Sequence, residues 1–200
     1  MLFWFGSKPY TAARVAQQSR LWFTDGAAPE LAPQTDELIG ERFSAQMACA
    51  ECGELGSWES SPRRRLALIL LLDQFPRNVY RGTARAFAQD GKALSLAVSG
   101  MQLGADAALE PLERIFFYMP LMHAESAEIQ EESLAAFRRL LDEAPAELRG
   151  HFEAALRAAG LHRDLIARFE RFPHRNRLLG RANTTAEAEW LAAETTRFGQ

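Results

Sequence analysis

Apolar residues recur along this chain at steps of three and four, and no stretch alternates apolar with polar as a half-buried strand would. Thr35, with Asp36 and Glu37 behind it, predicts an N-cap after a loop marked by Pro29 and Pro33. The apolar face of that helix is Leu38, Ile39, Phe43 and Met47, and Gly53 and Gly56 end it. Ser61-Pro62 opens the next helix with proline at the first helical position. Its continuation, residues 66–72, is apolar on every side, which predicts a central helix packed by neighbours all round. Phe75-Pro76 is expected to stop it, because the residue before proline is pushed out of the α region.

Thr83 is the next expected cap, for a helix running through Phe87, Leu94 and Val98 to Gly100, with residues 104–109 as a connector. Pro111 starts a helix whose Leu112, Ile115, Phe116 and Met119 share one face, and Pro120 is expected to interrupt it. A further helix carries Ile129, Leu134, Phe137 and Leu141. After Pro145 comes the longest stripe: Leu148, Phe152, Ala155, Ala159, His162, Ile166 and Phe169, closed by Pro173. Thr184 and Glu187 make a capping box for a last helix with Trp190 and Leu191 inward. Trp4, Phe5, Trp22 and Phe23 read as aromatic anchors that pack an N-terminal arm, residues 1–33, on the body. The pattern predicts one all-α domain over residues 1–200, an antiparallel array of about eight to ten helices.

Two turns stand out. Residues 66–83 end in Phe75-Pro76-Arg77-Asn78, with Gly82 following, and residues 171–181 repeat this as Phe172-Pro173-His174-Arg175-Asn176 before Gly180. The separation equals about three helical-hairpin units of ~33 residues. Composition limits what the turns can serve. A net charge of −3 argues against a general nucleic-acid binder. The basic residues are nevertheless arginine almost throughout, with Lys8 and Lys92 the only lysines, and arginine is the better bidentate partner for phosphate or carboxylate. The first residues lack the basic n-region of a signal peptide and no apolar run approaches membrane-spanning length, so a cytoplasmic location without membrane attachment is expected. Cys49 and Cys52 fall in a helical stretch with no second pair and no strand-to-helix setting, which makes them incidental rather than a zinc or redox motif.

The strings 67–78 and 171–176, together with Trp4-Phe5-Gly6, Phe87-Ala88-Gln89-Asp90, Glu113-Arg114 and Leu179-Gly180-Arg181, resemble the signature blocks of the bacterial domain-of-unknown-function family 924. The resemblance spans nearly the whole chain and implies an all-helical, tetratricopeptide-like fold without an established activity. Three departures accompany it. The family's usual Leu-Glu-His-Ser-Glu is here Leu121-Met122-His123-Ala124-Glu125, Glu170 stands where the family usually has glycine, and the cysteine pair is not a family feature.

The chemistry expected of the two turns is anion recognition. Each leads to a helix start, where free N–H groups and partial positive charge favour an anion. Arg77, Arg81, Arg175 and Arg181 would hold it, and Asn78 and Asn176 would orient it, if the turns converge. His123 and His174 are the candidates for moving protons, with Glu125 and Asp73 completing the catalytic set. His162 lies on an apolar stripe and reads as a core histidine. No metal-ligand spacing, nucleophile elbow or glycine-rich phosphate loop is present, so no metal or cofactor is expected. The same residues also suit plain fold maintenance, with asparagine tying turns, glycine supplying positive φ and Arg77 pairing with Asp73. Two functions follow from these alternatives. One is binding, extending to transformation, of a small anionic molecule between the turns. The other is a non-catalytic tetratricopeptide-like module whose partner is a protein segment.

Overall fold

The computed structural model describes residues 1–22 and 32–193, and every regular element among them is helical. The helices are α1 (Leu2–Phe5), α2 (Ala12–Trp22), α3 (Ala32–Cys52), α4 (Pro62–Ile69), α5 (Phe75–Val79), α6 (Asp90–Gln102), α7 (Pro111–Met122), α8 (Ala127–Asp142), α9 (Arg149–Phe169) and α10 (Thr185–Ala193). Short 3-10 turns and caps join them. α8 packs along both α7 and α9, while α3 lies against α5 and the segment before it. Trp4, Phe5 and Trp22 reach the main core, where Phe116 meets all three in edge-on contacts. Phe23 and Pro29 lie outside the described residues.

α4 is as central as its composition predicts, with Leu66, Leu68 and Ile69 buried. Pro76 does not stop it. The chain widens into a π turn over Leu70–Gln74 and continues as α5. The Phe75 N–H bonds the Leu70 carbonyl, five residues back. That extra residue takes the pyrrolidine ring away from the carbonyl it would strike in a regular helix, and proline's missing N–H then falls at the start of a new α segment, where none is needed. Pro120 does not interrupt α7 either. It sits in the last turn of a helix that runs to Met122, so only one backbone bond near the natural end is lost.

Two caps also differ from expectation. α3 is already helical at Ala32, so Pro33 and Thr35 belong to its first turns, and Thr35 is buried there. Thr83 is extended and gives its hydroxyl to the Tyr80 carbonyl at 2.7 Å; a 3-10 turn, Ala84–Phe87, follows before α6 begins at Asp90. The predicted ends at Gly53 and Pro111 and the capping box at Thr184 are present. Thr184 N–H donates to Glu187 Oε2 at 2.7 Å, and Glu187 N–H donates to Thr184 Oγ1 at 3.2 Å.

α9 closes at Phe169 rather than at Pro173, on Glu170 with φ 61°. Glu170 N–H bonds the Ile166 carbonyl at 2.8 Å. Side chains carry a penalty in this left-handed region that glycine escapes. A Glu170→Gly variant is expected to gain about 1 kcal/mol, raising the melting temperature by roughly 2–4 °C. Differential scanning calorimetry would check this, and a lower melting temperature would contradict it.

Candidate functional site

The π turn presents Asp73, whose side chain has no exposed surface. Burial alone would raise its pKa, but the charge of Arg77, the neighbouring His123 and hydrogen bonds from His123 and Gln74 outweigh that and hold it well below the usual carboxylate range. Gln74 Nε2 donates to Asp73 Oδ2 at 2.6 Å, and Arg77 Nη1 lies 3.3 Å from Oδ1. His123 Nδ1 stands 2.7 Å from Oδ1. Because an ionised carboxylate only accepts, the proton of this contact belongs to His123 Nδ1, and the imidazole lone pair is therefore on Nε2. Burial and the Arg77 charge pull the His123 pKa below its ordinary value against the opposing effect of Asp73, so the ring is neutral near pH 7. A buried Asp–His dyad with its imidazole lone pair on Nε2 results.

His123 owes its place to the end of α7, which Gln130 of α8 holds. The fully buried Gln130 amide donates to the Met122 and Ala124 carbonyls at 2.7 and 2.8 Å. Two residues on, Glu125 accepts from Phe172 N–H at 2.9 Å and from both Arg181 terminal nitrogens at 2.8 and 2.9 Å. Burial would raise the Glu125 pKa, but the Arg181 bonds and the Phe172 N–H bring it below its ordinary value. Met122 and Ala124, which replace the family's usual acid and hydroxyl, leave the His123 and Glu125 contacts in place.

The two arginine-asparagine turns converge. Arg77 donates through both terminal nitrogens to Asp90, at 2.8 and 2.9 Å, and Arg175 Nη1 donates to the same carboxylate at 3.1 Å. Phe87 lies under both guanidinium groups, 5.7 Å from Arg77 and 4.6 Å from Arg175, and Phe172 stacks on Arg175 at 4.5 Å. Arg175 is 6% exposed, and its Nε is buried without a hydrogen-bond partner among the described residues. Burial and the Arg77 charge lower its pKa to about 10, so it remains a cation at neutral pH.

Other expected ligand residues face elsewhere. Asn78 donates to Asp36 at 2.9 Å and Arg81 grips the same carboxylate at 2.8 and 3.0 Å, which ties the first turn to α3. Asn176, fully buried, donates to Asn183 at 2.9 Å. These three side chains spend their amide or guanidinium donors on neighbouring side chains of the fold, whereas Arg77 contacts Asp73 and shares Asp90 with Arg175. Asp90 carried no individual role in the sequence. Its only signal was the Phe87–Asp90 block, and nothing in its spacing links it to either turn. His162 satisfies its Nδ1 on the Ala158 carbonyl at 2.8 Å, yet its ring centroid is 6.0 Å from that of His123, so a core histidine also borders the site. No group of three or more potential metal ligands gathers among the described residues, and no described helix is long and apolar enough to cross a membrane.

Burial is the largest cause lowering both His162 and His174 to about 3, with His123 and Arg175 respectively the next contribution. In the unfolded chain these rings take up protons near pH 6.5. Between pH 6.5 and 3 the unfolded state therefore binds more protons, and stability falls as pH falls. Each ring contributes a slope approaching about 1.4 kcal/mol per pH unit within that window. The depressed carboxylates add to the loss only below about pH 4.5. Denaturant unfolding from pH 7.5 to 5 is expected to show the decline, and His174→Gln to flatten it. A stability constant over that range would contradict the neutral-histidine assignment.

No curated protein matches the chain. A solved structure of a protein of unknown function from Agrobacterium tumefaciens is similar, with 34% sequence identity and a TM-score of 0.73 over 92% of this chain and 99% of that one. The profile described as "Bacterial protein of unknown function (DUF924)" matches residues 1–195. That range takes in the residues around Asp73 and Asp90, and the chain belongs to the DUF924 family.

Proposed function

We propose that the protein binds a small anionic molecule, a carboxylate or phosphate ester, across Arg77 and Arg175, with His123 moving a proton on the bound molecule or on a water beside it. The observation that carries this reading is Arg175: a buried cation from the second turn that shares the Asp90 carboxylate with Arg77 of the first while leaving its Nε–H unused. Structural arginines in a buried network normally use their donors, since an unpaired buried donor costs about 1–3 kcal/mol. An arriving oxyanion would pair with that donor in a water-poor setting where charge-assisted hydrogen bonds are strong. Asp73 would stabilise the imidazolium formed when His123 Nε2 accepts a proton, and would keep the ring in the productive tautomer meanwhile.

Charge balance refines the reading. Arg77, Arg175 and Arg181 are offset by Asp73, Asp90 and Glu125, with the histidines neutral. An added anion therefore brings uncompensated charge unless Asp90 yields or an imidazole takes up a proton. Arg77 holds Asp90 by two bonds and Arg175 by one of 3.1 Å, so the Arg175–Asp90 bond is the one an arriving anion would replace.

A thermal-shift screen of phosphorylated and carboxylated metabolites tests the proposal. A ligand at one hundred times its dissociation constant stabilises by about 2.7 kcal/mol, or roughly 5–10 °C in a domain of this size. The wild type should show such a shift, and an Arg175→Gln variant with unchanged circular dichroism should lose it. An equal shift in the variant, or affinity that rises with added salt, would contradict the proposal. A panel with no hit, together with saturable peptide binding, would favour the tetratricopeptide-like module instead.

A further inference from the structure

A second cationic centre lies at the other end of α4. Arg65, 4% exposed, stands two helical turns before Asp73, roughly 12 Å along the axis. Its donors go to neutral acceptors: Nε to the Glu59 carbonyl at 3.1 Å, and Nη1 to the Leu96 carbonyl at 3.0 Å and to Ser99 Oγ at 2.8 Å. Glu59 Oε2 is 4.0 Å from Nη2, too far to hydrogen-bond, and the Glu59 side chain is half-exposed. The stem of Arg65 lies so close to α6 that a Cβ on Gly100 would fall 2.8 Å from its Cδ. A buried guanidinium is thus fixed in place, with one terminal nitrogen that makes no hydrogen bond and a single carboxylate, that of half-exposed Glu59, at the 4.0 Å limit of an ion pair.

This guanidinium lines a cavity of about 750 Å³ between the 3-10 turn Gly56–Ser60, the head of α4 and the residues after α6. Leu103, 74% exposed, lines the same space. Gly56 borders it too; a Cβ there meets nothing within 4 Å, and its φ is not in the left-handed region. One terminal nitrogen free to donate matches a single carboxylate oxygen, and the nearby Glu59 repels a dianion more than a monoanion.

We infer that this cavity is a second ligand site, which takes a small aliphatic monocarboxylate with its carboxylate on Arg65 and its hydrocarbon end against Leu103. The site is separate from the one between the two turns and does not depend on it.

Butyrate titration of the full chain, followed by amide NMR, tests the inference, with butyramide and inorganic phosphate as controls. Saturable shifts are expected at Ser57, Arg65 and Gly104, with at least several-fold weaker responses to both controls. Gly56→Phe, at a lining position where an added Cβ meets no atom within 4 Å, should crowd the cavity and weaken butyrate at least tenfold, while Glu59→Gln should tighten it several-fold. Arg65→Gln should abolish binding, and if that variant fails to fold, Gly56→Phe decides. Absence of saturable shifts, shifts unchanged by Gly56→Phe, or shifts confined to His123 and Arg175 would overturn it.

Discussion

A carboxylate buried without exposed surface is the constraint around which the structure is arranged. Removing an ion of this size from water costs several kcal/mol even after relaxation, so Asp73 is tolerable only with its oxygens occupied. Gln74, Arg77 and His123 occupy them. Two of these come from the π turn and the segment it launches; the third comes from the end of α7. The backbone irregularity at 70–74 presents that charge, and the buried Gln130 holds the α7 terminus from which His123 meets it. Loss of either would leave an ion in the core without its partners.

The second turn joins through Asp90, at the first position of α6, where the helix dipole favours a carboxylate. A 3-10 turn just before it puts Phe87 beneath the two guanidinium groups, an apolar and weakly attractive floor. Similar sequence did not produce similar duty. In the first turn Asn78 and Arg81 bind α3 through Asp36, while in the second Asn176 stays local and Arg181 reaches Glu125. The inserted His174 belongs to this asymmetry, shifting Arg175 by one position relative to its counterpart after Phe-Pro.

Helix content and most helix ends were legible because they depend on local chemistry. The spacing of Leu112, Ile115, Phe116 and Met119, the Thr184–Glu187 box and the glycine at 53 each act within a turn or two of themselves. The prolines misled. Pro76 is accommodated by a one-residue π expansion, and Pro120 by nearness to a helix end, neither of which a breaker rule anticipates. Within the site, the Asp73–Arg77 pair could be read from its i,i+4 spacing. The Asp73–His123 contact and the role of Asp90 could not, since both join residues distant in sequence with no periodic signal. Arginine count and turn similarity located the neighbourhood; only packing separated Arg77 and Arg175 from the arginines that tie helices together.

The account rests on His123 being a neutral imidazole with its proton on Nδ1, given to Asp73, and its lone pair on Nε2. Side-chain ¹⁵N NMR of the histidines at pH 7 tests this most directly. The predicted result is a protonated, pyrrole-type Nδ1 and an unprotonated, pyridine-type Nε2 for His123, lost in an Asp73→Asn variant that still folds. An imidazolium at pH 7, or a proton resident on Nε2, would contradict the account.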